Sequence, residues 1–262
     1  MKLVLLVNRD LASTIALNYL LPAISGHDIS VLMSDRVGNK KTRKPQALID
    51  LSIVEQKILN NLIVGSPDAR WHNISELADK YQFFVATEND INHAVGVERM
   101  SAINPDLIIS IRYGVILQDR VIGIPRLGII NLHSGLLPDY RGVMATFWAM
   151  LTEESTIGTT LHYIDDASID TGRVIGHTHL QVNVEKAYLD HVLELYIDGC
   201  QLIIETLKKL ERGDHPATKP QSNVGKYFSF PSDEDLSLFD SKGLRLFDLT
   251  SVLSTYERFL PG

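Results

Sequence analysis

The sequence predicts an α/β fold in which a mostly parallel sheet is flanked by helices. Short apolar runs alternate along the chain with longer segments that carry apolar residues at helical spacing. This alternation continues to about residue 212, and strands that alternate with helices build parallel sheets. The 262 residues accommodate one large domain with a small appendage.

The predicted strands are short apolar runs bounded by polar residues or turn formers. Lys2–Val7 opens the chain as a buried strand, and Leu107–Ile111 follows the turn Asn104-Pro105-Asp106. In chain order the predicted strands are Lys2–Val7, Asp28–Met33, Phe83–Thr87, Leu107–Ile111, Gly128–Leu132, Thr159–Ile164 and Arg173–Leu180. We expect them to form one sheet.

The predicted helices lie between these strands. They are Leu11–Ile24, Ala47–Leu59, Ile74–Tyr81, Asn92–Ile103, Met144–Glu153 and Ala187–Arg212. Ala187–Arg212 is long and amphipathic, so we expect it to pack along the sheet and to close a main domain at residues 1–212. Residues 213–262 mix Gly, Pro and Ser with a few aromatics and predict a small C-terminal extension with little core of its own.

Composition and charge argue against several classes of protein. The apolar stretches are far shorter than the ~20 residues of a membrane span, and the N-terminus lacks a signal peptide, so we expect a cytoplasmic protein without a membrane partner. The single cysteine, Cys200, excludes an internal disulfide and lies in a core-like helical pattern. The net charge of −7 disfavours a nucleic-acid surface. The basic cluster Lys40, Lys41, Arg43 and Lys44 is typical of a solvated loop, although a phosphorylated substrate could bind it.

The segment Asn131–Gly142 (N-L-H-S-G-L-L-P-D-Y-R-G) carries the most informative polar residues. Asn131 and His133 are two positions apart, so both side chains lie on one side if the preceding strand continues through them. They then stand at the carboxyl end of a strand, where open α/β sheets bind ligands. The Pro and Gly residues that follow give a loop whose backbone can approach a substrate.

A carboxylate, Asp170, follows in the segment Ile169-Asp170-Thr171-Gly172, a loop between two predicted strands. Taken alone, an Asn–His pair is more often structural than catalytic, and Asp before Thr-Gly is more often a turn former. The combination of the two segments is what points to chemistry.

Asn131–Gly142 resembles the N-x-H-x-x-L-L-P-x-Y-x-G signature of the folate-dependent formyltransferases, which include the glycinamide ribonucleotide, methionyl-tRNA and sugar-amine enzymes. Ile169–Gly172, preceded by the G-T-T-L-H of Gly158–His162, resembles the second half of the same signature. The likeness spans roughly Asp106–Ile175 in order and approximate spacing. It implies a Rossmann-like formyltransferase fold, 10-formyltetrahydrofolate as co-substrate, an amine acceptor and no metal.

The resemblance assigns catalysis to Asn131, His133 and Asp170. A formyl carbonyl that is attacked by an amine becomes a tetrahedral oxyanion, which needs donors aimed at the developing charge. Asn131 can donate through its amide, and a protonated His133 can donate more strongly. The amine must lose a proton and the leaving folate nitrogen must gain one, so we expect Asp170 to orient His133 and to handle protons.

The resemblance also implies which residues bind the two substrates. In the family the pterin ring is held largely by backbone groups of two loops, and the corresponding contacts here are Tyr113, Val115, Leu117, Ala167, Ser168 and Ile169. The loop before Asp170 is one residue longer than the family pattern, which leaves the individual folate contacts open. Predicted acceptor contacts are Asn8, Arg9, Ser134, Gly135, Phe147 and Trp148. For at least one of Phe147 and Trp148, a place in the helix core is an equally good interpretation.

Departures from the family pattern reduce the number of acceptor classes that fit the sequence. Purine-pathway members carry a Gly-rich phosphate loop after the first strand, whereas Asn8–Ser13 contains no glycine. Transfer-RNA enzymes carry a sizeable basic C-terminal β-barrel, whereas Gly213–Gly262 is short and partly acidic, so we expect no nucleic-acid partner. A nucleotide-linked amino sugar or another small amine is then the expected acceptor, closest to the sugar N-formyltransferase type. A homodimer through the C-terminal segment is a further expectation.

Other functions fit the sequence less well. A zinc enzyme could use His177 and His179 with His133 and His162, but no carboxylate or thiolate spacing completes the site. A dinucleotide-dependent oxidoreductase lacks its G-x-G-x-x-G. A formyltetrahydrofolate hydrolase would keep the same three residues, although known deformylases carry an extra N-terminal domain. A catalytically silent binding protein would have lost one of the three residues, and none is lost. A methionyl-tRNA formyltransferase-like activity is the remaining alternative.

Overall fold

The fold is described by a computed structural model, which covers residues 1–37, 44–58, 71–221 and 225–251. Its strands are β1 (Lys2–Asn8), β2 (Asp28–Ser34), β3 (Phe84–Thr87), β4 (Leu107–Ile111), β5 (Ile129–His133), β6 (Arg141–Gly142), β7 (Thr156–Ile157), β8 (Thr160–Tyr163), β9 (Val174–His177), β10 (Leu180–Gln181) and β11 (Tyr227–Phe228). Its α-helices are α1 (Leu11–Ile24), α2 (Gln46–Ile53), α3 (Ile74–Tyr81), α4 (Ala94–Ile103), α5 (Asp119–Ile122), α6 (Ala145–Leu151), α7 (Tyr188–Glu211) and α8 (Asp233–Ser241).

A seven-stranded sheet in the order β3-β2-β1-β4-β5-β8-β9 forms the centre. The first five strands of that order pair in parallel, and β8 runs antiparallel to both of its neighbours. This arrangement confirms the predicted α/β class with a mostly parallel sheet. The antiparallel strand brings its residues back alongside the end of β5, which matters for the site described below.

The two faces of the sheet bury alternate residues of each strand. In β1, Leu3, Leu5 and Val7 belong to one apolar cluster, which also holds residues of α1 and α7, while Val4 and Leu6 belong to the other. This period of two follows from the pleat, and burial of both faces is typical of parallel strands covered by helices. The sheet is therefore a rigid platform for the loops at its carboxyl edge.

Helix α7 packs directly against the strand that carries the predicted catalytic residues. A Cβ on Gly199 would lie 2.8 Å from Cδ2 of Leu132, so only glycine allows the helix this close to β5. Cys200, the next residue, is buried, and its thiol lies 3.7 Å from the carbonyl oxygen of Ala16 in α1. The predicted core position of this cysteine is thus confirmed.

Some predicted elements differ from those observed. The strand predicted at Arg173–Leu180 is split, because the chain leaves the main sheet after His177 and β10 pairs with β7 in a separate ribbon. The helix predicted at Ala47–Leu59 changes at Val54 into a π-helical turn that ends at Ile58, and Leu59 lies outside the described residues. Helices α5 and α8 and the short strands β6, β7 and β11 were not predicted.

The segment after α7 returns to the main body of the chain. Strand β11 pairs in parallel with β6, and Phe239 of α8 stacks on Phe147 with ring centroids 4.4 Å apart. Phe239 is 1% exposed and belongs to the same apolar cluster as α1 and α7. No helix in the described ranges is both long and apolar enough to cross a membrane.

Removing the Phe239 ring should therefore loosen the main core. We expect Phe239→Ala to lower the free energy of unfolding by about 3 kcal/mol, because the buried ring leaves a cavity against Phe147. Its neighbour Leu238 is 49% exposed, and Leu238→Ala should change stability by less than about 0.5 kcal/mol. Urea denaturation of both variants checks this, and equal effects would show that α8 is not docked through Phe239.

Candidate active site

Two adjacent strands bring the predicted catalytic residues together at the carboxyl edge of β5. Asn131 and His133 lie two positions apart on β5, and β8 passes beside them in the opposite direction. The register places His162 of β8 directly across from Asn131. The loop that follows β8 then returns Asp170 to the same place, which we define as the Asp170 loop (165–173).

The carboxylate of Asp170 is the meeting point of the site. Its Oδ2 lies 3.6 Å from Nδ1 of His133 and accepts a hydrogen bond of 2.9 Å from the backbone N–H of Gly142. Its Oδ1 lies 3.5 Å from Nε2 of His162. The residue has a left-handed backbone with φ of 54°, a conformation that Asp tolerates better than most side chains.

His162 orients the amide of Asn131. Nδ1 of His162 lies 2.8 Å from the carbonyl oxygen of Tyr163, which can only accept, so this nitrogen carries the proton. In the neutral ring Nε2 is then an acceptor, and it lies 3.1 Å from Nδ2 of Asn131. One N–H of Asn131 is thereby fixed, and the other points away from this bond. His162 lies within the family signature, but the sequence did not predict it as a site residue.

His133 is buried and its ring is fixed at one nitrogen. Nε2 lies 2.7 Å from the carbonyl oxygen of Tyr140, so this nitrogen carries a proton. Nδ1 lies 3.6 Å from Oδ2 of Asp170, which is too far for a hydrogen bond. This nitrogen can therefore form a hydrogen bond with another group. A Cβ on Gly135 would lie 2.8 Å from Nε2, so the loop can pass this close only with glycine.

The environment of Asp170 favours its charged form. Burial alone would raise the pKa of this carboxyl, but His133, His162 and the N–H of Gly142 together lower the pKa to about 2. The carboxylate therefore stays ionised throughout the physiological range. It can act as a fixed negative charge opposite the two histidines.

The two loops predicted for folate rise from one apolar cluster. Tyr113 and Val115, which follow β4, pack against it, and so does Ile164, which leads from β8 into the Asp170 loop. The side chain of Leu117 is 4% exposed and is part of that cluster, so only its backbone can face a ligand. Ala167 and Ile169 are partly buried and Ser168 is exposed, so this loop is accessible to solvent.

Two of the predicted acceptor contacts lie inside the protein. Phe147 has no exposed surface, because the inward face of α6 stacks it on Phe239. Asn8 is 3% exposed, and both ends of its amide are used, by Asp10 at 2.9 Å and Ser34 at 3.1 Å. Neither residue is therefore an acceptor contact, because both side chains are buried.

The other predicted acceptor contacts lie nearer the surface. Arg9 is exposed and donates to the hydroxyl of Thr87, while Trp148 is half-buried and stacks on Phe228 of the C-terminal extension at 5.0 Å. Ser134 is partly buried, and the carbonyl of Gly135 accepts a 2.6 Å bond from Thr160. In the basic cluster predicted as a loop, Lys40, Lys41 and Arg43 lie outside the described residues.

A buried ionic network that the sequence did not reveal lies at the same edge of the sheet. Arg112, with φ of 59°, donates to Asp10 at 2.8 Å and to Glu55 at 3.0 Å. The Asp10 carboxylate also caps α1 by accepting from the N–H of Ser13. Burial raises the pKa of Glu55 to about 7, with Arg112 opposing the rise and Asp10 adding to it. The N-terminus of α1 is therefore occupied by the protein's own carboxylate.

The histidines considered for zinc do not gather into a metal site. His177 ends β9, where its Nε2 lies 3.2 Å from the carbonyl oxygen of Leu137, and His179 follows outside the strand. Within residues 1–37, 44–58, 71–221 and 225–251, no group of three or more His, Cys, Asp or Glu side chains could hold a metal ion.

Comparison with known proteins gives one family and one fold. Residues 29–192 match the family model for formyl transferases. Methionyl-tRNA formyltransferase of Thermodesulfovibrio yellowstonii is 32% identical over 161 residues, which cover 61% of this chain and 51% of that protein. The corresponding protein of Agathobacter rectalis is 28% identical over 209 residues, or 77% and 64%. The chain spans about half the length of the curated relatives it matches.

Solved structures share the fold at low sequence identity. Glycinamide ribonucleotide transformylase 1 of Symbiobacterium toebii gives a TM-score of 0.59 at 15% identity, over 85% of this chain and 94% of that one. An N-formyltransferase of Helicobacter canadensis, solved with folinic acid and dTDP-3-aminofucose, gives 0.57 at 18% identity, over 90% and 72%. These likenesses show the same arrangement of sheet and helices.

Neutralising Asp170 should cost stability in a pH-dependent way. Because its pKa falls from 3.8 to about 2 on folding, the ionised form stabilises the fold by about 2 kcal/mol at pH 7, and Asp170→Asn loses this. The contribution is present above pH 4 and is lost as pH falls towards 2, so the gap to wild type should narrow below pH 4. Urea denaturation from pH 3 to 7 measures it. Asp139→Asn, at an exposed position of the signature loop, is the control, and an equal effect there would contradict the assignment.

Proposed function

This chain belongs to the formyl transferase family, and on that premise we propose that it transfers a formyl group from 10-formyltetrahydrofolate to an amine. The observation that carries the proposal is the convergence of Asn131, His133 and Asp170 at one edge of the sheet, with His162 completing the set. The loops that begin at Tyr113 and Ala167 would bind the folate, since they leave one apolar cluster beside these residues.

Asn131 and His133 serve as donors to the formyl oxygen. The N–H of Asn131 that is not held by His162 is available for this, and so is the proton on Nδ1 of a charged His133. Two donors fixed by the protein lower the energy of the charge that develops on the oxygen, because they need no reorganisation when the reaction occurs. Burial of His133 and Asp170 strengthens both interactions.

Asp170 serves as a permanent charge rather than as the base that we expected from the sequence. A carboxyl whose pKa is about 2 is a weak acceptor for the amine proton near neutral pH. Its negative charge instead faces Nδ1 of His133 at 3.6 Å and attracts the cationic amine to the site. As the new amide bond forms and the bond between the formyl carbon and N10 of the folate breaks, the amine proton would pass through water beside the carboxylate to N10.

A nucleotide-linked amino sugar or another small amine remains the acceptor that we propose. Asp10 caps the N-terminus of α1, so a phosphate of the acceptor would have to bind elsewhere. Two lysines offer positive charge near the strand pair β6 and β11, with Lys226 over the ring of Phe228 and Lys44 over the ring of Phe230. These cations suit an acceptor whose amine is carried by a phosphate-bearing group.

One other acceptor has specific support from the relatives, and a hydrolase would use the same residues. The curated relatives are methionyl-tRNA formyltransferases, which makes methionyl-tRNA the second candidate acceptor. A hydrolase that releases formate from the same folate would use the same donors with water in place of the amine. An assay that compares acceptors separates all three activities.

We expect the purified protein to release tetrahydrofolate from 10-formyltetrahydrofolate only when a suitable amine is present. The acceptors to compare are nucleotide-linked amino sugars, small amines and methionyl-tRNA. Release that requires methionyl-tRNA would replace the proposed acceptor, and release without any amine would identify a hydrolase. No release with any of them would contradict formyl transfer.

Loss of the Asn131 amide should reduce turnover without unfolding the protein. We expect Asn131→Ala to lower kcat by about 100-fold, because one of the two donors to the developing charge is removed. Asn183→Ala, at an exposed position away from the site, is the matched control. An unchanged kcat in Asn131→Ala, measured with the acceptor identified above, would exclude this residue from catalysis.

A further inference from the structure

One side chain of the C-terminal extension reaches the Asp170 loop. Nε2 of Gln221 donates to the carbonyl oxygens of Asp170 at 3.0 Å and Gly172 at 2.7 Å. Its other amide atom, Oε1, is buried and has no hydrogen-bond partner among the residues that the structure describes. The side chain is therefore held in place by what it donates to the loop.

The loop needs such a clamp because its backbone is unusual. Asp170 has φ of 54°, a region that few residues other than glycine occupy. Two residues on, a Cβ on Gly172 would lie 1.8 Å from the carbonyl oxygen of Tyr163, so the chain turns back against β8 at close range. The two carbonyls that Gln221 binds flank Thr171, and fixing both sets the peptide planes on either side of it.

Backbone pairing places Gln221 at this point. Two residues earlier, Lys219 exchanges two backbone hydrogen bonds with Val174, at 2.8 and 2.9 Å, at the start of β9. On the opposite side of the site, β11 pairs with β6, whose Gly142 donates to the Asp170 carboxylate. The extension thus holds the carbonyl of Asp170 directly and supports the strand that holds its carboxylate.

We propose that Gln221 is a positioning residue for formyl transfer, which clamps the Asp170 loop so that the Asp170 carboxylate stays between His133, His162 and the N–H of Gly142. The proposal rests on the function proposed above. Gln221 lies beyond residues 29–192, the span that matches the family model, so the match itself gives it no role. It acts on the reaction through Asp170 and needs no contact with either substrate.

The test compares variants of the full chain at two neighbouring positions. Gln221→Met keeps the length of the side chain and removes both donors, and Gln221→Ala is a second variant should the first pack poorly. Lys219→Ala is the matched control, because the Lys219 side chain is exposed and its backbone pairing with Val174 is kept. Steady-state kinetics give kcat and KM, and amide hydrogen exchange without substrates reports on Gly142 and Val174.

We expect both Gln221 variants to lower kcat by about 10- to 100-fold and to change KM by less than about threefold. The N–H of Gly142 should exchange about tenfold faster, because its acceptor carboxylate is no longer held, while the N–H of Val174 should be unaffected. Lys219→Ala should resemble wild type in all three measurements.

Other results would overturn the proposal. An unchanged kcat, or unchanged exchange at Gly142, would show that Gln221 does not position Asp170. Faster exchange at both Gly142 and Val174 would also overturn it, because the whole segment would then have undocked. If the wild-type protein transfers no formyl group to any acceptor, the proposed function fails, and exchange at Gly142 still decides whether Gln221 holds the loop.

Discussion

The arrangement of the site depends on one buried carboxylate. Asp170 is largely enclosed, with 11% of its side chain exposed. The backbone N–H of Gly142 donates to its carboxylate, and ring nitrogens of His133 and His162 lie 3.6 and 3.5 Å from it. Each partner comes from a different element: His133 from β5, His162 from β8 and Gly142 from β6. Satisfying this single charge therefore fixes three strands relative to one another. The geometry of the candidate site and the electrostatic requirement of the fold are therefore the same constraint.

The sequence predicted the strands and helices that local patterns of apolar residues determine. The apolar runs at Lys2–Val7 and Leu107–Ile111 and the helical spacing at Leu11–Ile24 led to the observed elements with little error at their ends. The linked motifs around Asn131 and Asp170 indicated the family, which the match over residues 29–192 establishes. The individual site residues remain predictions, because the fold and the family do not test them.

The features that the sequence did not predict depend on strand register and on contacts between residues that are far apart in the chain. His162 acts on Asn131 only because β8 runs antiparallel to β5 in one register, and a shift of one residue would turn it to the other face. Arg112 joins Asp10, 102 residues away, and Gln221 joins Asp170, 51 residues away. The sequence predicts Phe147 as an acceptor contact because it does not show that Phe239 of α8 packs on the Phe147 ring. The periodicity of apolar residues carries no information on such contacts.

The contacts between the extension and the signature loop have a consequence for the timing of maturation. Asn131, His133, His162 and Asp170 are all synthesised before residue 171, yet Arg141 donates to the carbonyl of Gly225, 84 residues later, and Gly142 is paired to Phe228. A nascent chain can complete its central sheet on the ribosome while the loop beside Asp170 still lacks these partners. The loop beside Asp170 therefore gains these contacts only after residue 228 has been synthesised.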